Sequence, residues 1–354
     1  MIDQMTPKER MEAFAKGEDM DHLPLVPDMG VTMAGYIGAT TTEYYSDSET
    51  IKDTEVALFK RFEHDSVSVS TTLRGMAEAM GSVMAYSDDS LSLLKDPVIK
   101  SEDDLDKLDI IDPWEDGQLH VLLEALEKIR DEIGDVASIG ASMTAPFSVA
   151  ASVLGTERLL KWMRKHPEAL HKVMENITMN NREYIKALKS IGFSTGFCCP
   201  VSSNDLISPK QFREFSLPYL KKNVEDVIEL TGSNPGLHIC GNSRMIWEDL
   251  RGIGIGNFSI DNCESLIEAK EVLGDEMVIS GNVPPVDVVH LGTKEEIEES
   301  VRQCIEDGKD SPKGYVMTTG CQIPKGTPIE NIDYFMAAVS YTHLRAHETE
   351  ADLV

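Results

Sequence analysis

A short segment of the chain carries side chains whose types and spacing suit metal binding. It reads Gly236-Leu237-His238-Ile239-Cys240-Gly241-Asn242, an apolar run that ends in His-x-Cys. Because side chains at i and i+2 of a β-strand point to the same face, His238 and Cys240 can contact one ion together. A third candidate, Cys321, follows another apolar run directly after Gly320. We predict that these three side chains form a metal centre.

An imidazole and two thiolates favour Zn²⁺ over the harder Mg²⁺ or Mn²⁺. Three protein ligands leave the fourth tetrahedral position open, which is the pattern of catalytic zinc sites. A His-x-Cys pair alone is more often a buried pair than a metal site, and Cys321 is what favours the metal. Cys198 and Cys199 end another apolar run; at least one is interpreted as core, and contact of either with the site is left open.

The elements that must position these residues are short apolar runs alternating with longer helical patterns. An opening helix is indicated by Thr6, Pro7 and Glu9, which together form an N-terminal capping pattern. A hairpin is predicted within residues 81–100. Strands are predicted at residues 23–27, 66–70, 136–141, 195–199, 236–239, 257–260, 277–280 and 315–318, and helices at 51–62, 117–133, 167–191, 209–230, 243–253, 265–273 and 294–306.

Strands that alternate with helices predict parallel crossovers, and eight such units favour a closed barrel. The predicted fold is α/β: a single (β/α)8 TIM barrel with an N-terminal helical extension and a hairpin insertion after strand 2. A doubly wound sheet is disfavoured because Asp28-Met29-Gly30-Val31 is not a glycine-rich phosphate loop. His238 and Cys240 end the fifth strand and Cys321 follows the eighth, so all three should lie at the carboxyl rim, where barrel active sites occur.

Further polar residues follow other predicted strands and should face the same rim. Asp261 and Asn282 are the predicted catalytic residues, and Asp28 and Asn204 the predicted substrate-binding residues. For each of them the alternative is a side chain that only caps or closes a loop.

Composition excludes several classes of function. The formal net charge is -28, so nucleic acid is not an expected partner, because phosphate binding needs a basic surface. No apolar run approaches the length of a membrane span, and the N-terminus does not resemble a secretory signal, so a cytoplasmic location is expected. Residues 1–339 are predicted to form one domain. Residues 340–354, with His343 and His347, are predicted to be a non-native tail.

The chain resembles the uroporphyrinogen decarboxylase superfamily, in the branch of zinc-dependent methylcobamide:coenzyme M methyltransferases. The resemblance runs from about Thr6 to Val339. It rests on His238-x-Cys240-Gly241, Ser259-Ile260-Asp261, Ala269-Lys270 through Leu273-Gly274-Asp275, Gly281-Asn282-Val283-Pro284, Gly320-Cys321, and Pro324 through Pro328-x-x-Asn331; Ala145-Pro146-Phe147, Ile207-Ser208-Pro209 and Pro218-Tyr219 fit the superfamily generally. The family's three zinc ligands carry over onto His238, Cys240 and Cys321.

The resemblance implies a corrinoid-dependent, zinc-containing methyltransferase. Zinc would lower the pKa of a substrate thiol such as coenzyme M, and a methylcobamide would supply the methyl group. The sequence has no Asp-x-His-x-x-Gly segment for cobalamin, so the corrinoid is expected on a separate partner protein. A homo-oligomer is compatible with the sequence.

Three alternatives remain open at this point. The enzyme could instead transfer methyl from an O- or N-methyl donor to the corrinoid protein. It could be a decarboxylase of the uroporphyrinogen type, although residues 23–31 contain no arginine to bind a polyanion, and the nearest are Arg61 and Arg74. It could also be a non-catalytic zinc-binding module.

Overall fold

The fold was analysed in a computed structural model, which describes residues 4–339. The predicted non-native tail at 340–354 lies outside the described residues, so that interpretation stays a prediction.

Most helices form the outer layer of the molecule. Several others are only one or two turns long. Thr6 caps the first helix with Glu9 in a reciprocal capping box, as the sequence predicts. The α-helices are α1 Pro7–Lys16, α2 Thr41–Ser46, α3 Ser48–Phe62, α4 Gly75–Ala79, α5 Leu119–Ile133, α6 Pro146–Val153, α7 Thr156–Lys165, α8 Pro167–Ser190, α9 Pro209–Gln211, α10 Leu217–Thr231, α11 Trp247–Leu250, α12 Leu266–Leu273 and α13 Lys294–Gly308. Residues 329–339 are also helical. Short 3-10 helices span Gly30–Ile37, Glu102–Lys107 and Arg244–Ile246, and π-helical turns span Phe212–Ser216 and Pro285–His290.

The strands form one parallel sheet and one small hairpin. They are β1 Ser66–Ser70, β2 Val83–Ser87, β3 Ser90–Asp96, β4 Ser138–Thr144, β5 Thr195–Cys198, β6 Gly236–Ile239, β7 Asn257–Ile260, β8 Val278–Val283 and β9 Tyr315–Thr319. The parallel sheet has the order β1-β4-β5-β6-β7-β8-β9, and β2 pairs only with β3. The hairpin insertion is therefore confirmed between the strand at residues 66–70 and the next strand of the barrel.

The first predicted strand, residues 23–27, closes the sheet without becoming a regular strand. Leu25 forms an isolated parallel bridge with Met317 of β9. On its other side, the Asp65 amide donates to the Leu25 carbonyl at 2.9 Å, just before β1 begins. The segment thus joins the last strand to the first and completes the predicted barrel. Pro24 and Pro27 flank Leu25, and because proline has no amide hydrogen, a longer ladder cannot form here.

The other predicted strands agree with the observed ones to within a few residues, but two predicted helices are interrupted. The helix predicted at 209–230 contains the π-helical turn Phe212–Ser216, and the one predicted at 243–253 shortens to a 3-10 turn followed by α11. Apolar side chains on the outer face of the barrel pack against the helices, as Val67, Phe197, Leu237 and Phe258 do. No helix within residues 4–339 is long and apolar enough to cross a membrane.

A buried ion pair ties α1 to the point of barrel closure. The Arg10 side chain has no exposed surface, and it contacts Asp65, of which 1% is exposed, and Asp21. The second carboxylate oxygen of Asp65 accepts the Leu25 amide at 2.7 Å. Asp65 therefore links the cation of α1 to the closing segment.

We expect Arg10→Leu to destabilise the protein by about 3–5 kcal/mol, because it leaves the Asp65 carboxylate buried without its cation. Arg61→Leu is the matched control. Arg61 pairs with Asp333 at the surface, where both side chains are at least one third exposed, and its loss should cost less than about 1 kcal/mol. Urea unfolding of both variants measures the difference. Equal destabilisation would contradict the role given to Arg10.

Candidate metal centre at the barrel rim

The three predicted metal ligands meet at one point of the carboxyl rim. The His238 Nε2 atom lies 3.2 Å from the Cys240 Sγ atom, and the Cys240 and Cys321 sulfurs are 3.9 Å apart. One donor atom from each residue lies within 4.8 Å of the other two. The side chains are only partly buried, so the cluster is reachable from solvent. Residues 81 positions apart in the chain are thus brought into contact.

The orientation of His238 is fixed by the neighbouring strand. Its Nδ1 atom lies 3.1 Å from the carbonyl oxygen and 3.1 Å from the hydroxyl of Ser259 in β7. A carbonyl oxygen can only accept, so this contact favours the tautomer with the proton on Nδ1. That tautomer leaves the lone pair of Nε2 directed at the cysteines, which is the state a metal requires.

The loop that carries Cys240 is anchored on both sides of its glycine. The Gly241 amide donates to Asp261 Oδ2 at 2.8 Å. Asp205 accepts from both the amide and the side chain of Asn242, at 2.9 and 2.7 Å. Gly241 has φ +77°, and an added Cβ would lie 2.3 Å from Asp205 Oδ2. A glycine is therefore required where the loop passes between its two anchors.

The loop that carries Cys321 approaches another backbone segment just as closely. A Cβ on Gly320 would lie 2.4 Å from the amide nitrogen of Asn262. Gln322 then donates from its side chain to the Met29 carbonyl at 2.6 Å. Cys321 is held between these two contacts.

The two predicted catalytic residues hold loops in this structure. Both carboxylate oxygens of Asp261 accept backbone amides, from Gly241 and Cys263. Asn282 donates to the carbonyls of Asp261 and Glu264 at 3.1 and 2.8 Å. Their contacts are those of positioning residues around the cysteine loop, and a direct catalytic role stays a prediction.

The two predicted substrate-binding residues differ in their surroundings. Asp28 has an exposed side chain, yet surrounding protein desolvates it and raises its pKa to about 6, while the charge of His238 opposes the rise. An accessible but desolvated carboxyl group is expected of a side chain that lines the barrel mouth. Asn204 donates its amide to the Asn242 carbonyl at 2.7 Å, and its buried Oδ1 atom has no partner within residues 4–339.

A second carboxyl group lies behind Asp28. Glu55 of α3 is buried and accepts the Tyr44 hydroxyl at 2.6 Å. Burial raises the pKa of Glu55 to about 7, the Tyr44 hydrogen bond opposes this rise, and the charge of Asp28 adds to it. The mouth of the barrel is therefore acidic on the side of α3.

The sequence left open whether Cys198 or Cys199 contacts the metal cluster. Cys198, at the end of β5, is in register with His238 and is close enough to Cys240 to raise the pKa of that thiol, whereas Cys199 is fully buried in the core. The adjacency of β5 and β6 could have identified Cys198, because both strands end at the same rim.

The remaining thiol electrostatics favour a bound cation. Hydrogen bonding to Cys198 raises the pKa of Cys240, and hydrogen bonding to Cys240 followed by burial raises that of Cys321. Two adjacent sulfurs resist carrying two negative charges unless a positive ion neutralises them.

Comparison with known proteins identifies the family of the chain. The family model described as uroporphyrinogen decarboxylase (URO-D) matches residues 6–341. A methylated-thiol–coenzyme M methyltransferase of Methanosarcina mazei is 26% identical, with 100% of this chain and 94% of that protein aligned. A methylcobamide:CoM methyltransferase of Methanosarcina barkeri is 26% identical over 95% of this chain and 98% of its own.

The fold is matched as well as the sequence. A solved structure described as a methyltransferase from Methanosarcina mazei superposes with a TM-score of 0.85 at 26% identity, covering 96% of this chain and 100% of that one. The chain belongs to the uroporphyrinogen decarboxylase family, and the proteins it resembles here are named methyltransferases.

Proposed function

We propose that this protein is a zinc-dependent methyltransferase that moves a methyl group between a corrinoid protein and a thiol. The observation that carries the proposal is the convergence of His238, Cys240 and Cys321 within 4.8 Å at the barrel rim. The names of the similar proteins, two of which mention methylcobamide or a methylated thiol, support the same chemistry.

The donor set fits a zinc ion in both chemistry and spacing. Tetrahedral zinc, with Zn–S of about 2.3 Å and Zn–N of about 2.0 Å, needs donor atoms about 3.5–3.8 Å apart. The observed separations of 3.2 Å between nitrogen and sulfur and 3.9 Å between the sulfurs bracket this spacing. Cys198 lies beside this set, and the three side chains are only partly buried.

Each side chain has a distinct part in the proposed reaction. His238 would bind through Nε2 because Ser259 occupies Nδ1, and Cys240 and Cys321 would bind as thiolates. When bound, zinc would supply the positive charge that lowers the pKa of a substrate thiol, and the corrinoid would supply the methyl group. In the net reaction the substrate thiol would release its proton and gain the methyl group as an S–CH3 bond, and the corrinoid would keep the electron pair of the bond that breaks.

The decarboxylase alternative receives no support from the position of the arginines. Arg61 pairs with Asp333 at the surface. Arg74 lies with Tyr45, Tyr86 and Glu78 around a small void that outer-layer side chains also line.

Replacing a ligand should remove the metal. We expect wild-type protein to contain about one zinc per chain, and Cys240→Ala and Cys321→Ala to bind zinc at least about tenfold more weakly. Cys263→Ala is the matched control, because Cys263 is exposed and lies outside the three-residue cluster. Elemental analysis measures zinc, and methylcobalamin with a panel of thiols measures transfer. Full zinc content in Cys240→Ala would contradict the ligand assignment; zinc without methylation of any thiol would contradict the proposed acceptor.

The anchored loop gives a second test of the same site. Gly241→Ala should weaken zinc binding by about tenfold or more, because the new methyl group collides with Asp205 and displaces Cys240. Gly232→Ala is the matched control. Gly232 has a similar φ of +74°, but its Cβ would meet nothing within 4 Å, so it tests backbone strain alone. Zinc titration of both variants compares them, and equal affinity would show that the loop contact does not position Cys240.

A further inference from the structure

The inward faces of strands β1 and β4 are polar, unlike those of most TIM barrels. Neighbouring residues in register share a face, and the outward residues, such as Val67, Val69 and Phe197, are buried against the helices. The alternate residues face the barrel interior, which in most TIM barrels is filled by valine, isoleucine and leucine. Here the inward positions of β1 and β4 are Ser66, Ser68, Ser70, Ser138, Ser142 and Thr144, with Gly140 among them.

The interior is open rather than packed. Ser68 is exposed although it lies in the middle of β1, between the buried Val67 and Val69. A Cβ added to its register partner Gly140 would meet nothing within 4 Å. Thr318 of β9 also faces inward, but it is buried, so it forms a wall of this space. We call this space, bounded by Ser68, Gly140 and Thr318, the interior chamber.

The interior chamber and the metal centre share the inner face of the barrel. Thr144, four residues after Gly140 in β4, is in register with Cys198, which is in register with His238. His238 of the metal centre and the residues that bound the chamber therefore lie on the same face of the sheet.

The barrel strands that bound the chamber carry no cation that could pair with an anion. No lysine or arginine occupies an inward position of the barrel strands β1 and β4–β9. Asp28 stands at the mouth, and the chain as a whole carries a formal charge of -28. Burying a sulfonate or carboxylate there would cost solvation free energy without a compensating cation. Serine and threonine hydroxyls both donate and accept hydrogen bonds, which suits a neutral or protonated amine group.

We infer that the interior chamber binds the uncharged or cationic polar end of the substrate thiol, and that it discriminates against an anionic end. This inference rests on the proposed function, because it assigns the substrate class of the same site. It separates this chain from the similar proteins named for coenzyme M, whose thiol carries a sulfonate.

Three thiols with the same two-carbon spacer test the inference. They are 2-mercaptoethanol, cysteamine and 2-mercaptoethanesulfonate, which end in a hydroxyl, an ammonium and a sulfonate. We expect kcat/KM for methylation by methylcobalamin to be at least about tenfold higher for the first two, equivalent to about 1.4 kcal/mol. A preference for the sulfonate, or equal values for all three, would overturn the inference while leaving the proposed function standing.

Two variants test whether the polar end of the substrate binds in the interior chamber. Gly140→Leu fills the chamber and should raise the KM for 2-mercaptoethanol at least about tenfold while the zinc content stays unchanged. Ser68→Ala removes one hydroxyl but leaves the chamber open. It should therefore raise the KM for 2-mercaptoethanol less than Gly140→Leu does, and it should not disturb the strand. Unchanged KM values in both variants would exclude the chamber as the binding place.

Cobalt substitution separates failure of this inference from failure of the proposed function. Binding of each thiol to the Co²⁺-loaded protein, followed by its thiolate absorption, reports affinity without turnover. If no thiol is methylated but the two non-anionic thiols still bind at least about tenfold more tightly, the inference stands and the proposed function falls. If none of the three binds, both are overturned.

Discussion

Parallel pairing in a closed sheet is the constraint on which the rest of this structure depends. Strands β6 and β9 carry their reactive residues at their carboxyl ends, and parallel pairing through β7 and β8 puts both ends on one rim. Closure through Leu25 then curves the sheet, so that Cys240 and Cys321 face each other across the mouth instead of lying apart along an edge. An open sheet of the same strands would separate these ligands by the width of two intervening strands, about 14 Å.

The site is preorganised by contacts that are not themselves reactive. Ser259 sets the tautomer of His238, and Asp261 and Asp205 hold the loop on either side of Gly241. These contacts fix the ligand positions before any ion arrives, which reduces the conformational entropy lost on binding. They also explain why several polar residues at the rim form hydrogen bonds with the backbone, although their types would suit catalysis.

The two faces of the barrel sheet have different roles: the outer face contributes to stability, and the inner face is available for binding. Its outward residues supply the apolar core between sheet and helices, whereas serines and glycines leave the inside open. Such a barrel gives up the interior packing that stabilises most members of its architecture. The buried Arg10–Asp65 pair and the large outer core stabilise the closed form instead, so the inner surface is free to bind a ligand.

The sequence by itself determined the barrel class, most strand positions and the three ligand candidates. It could do so because strand alternation and strand-end chemistry are local patterns: His238 and Cys240 share a face whatever surrounds them. Other features depended on tertiary structure. The isolated bridge at Leu25, the contact of Cys198 with Cys240, and the backbone-anchoring use of Asp261 and Asn282 depend on which segments become neighbours. The open interior likewise depends on closure, because alternating serines predict a polar face but only the barrel turns that face inward.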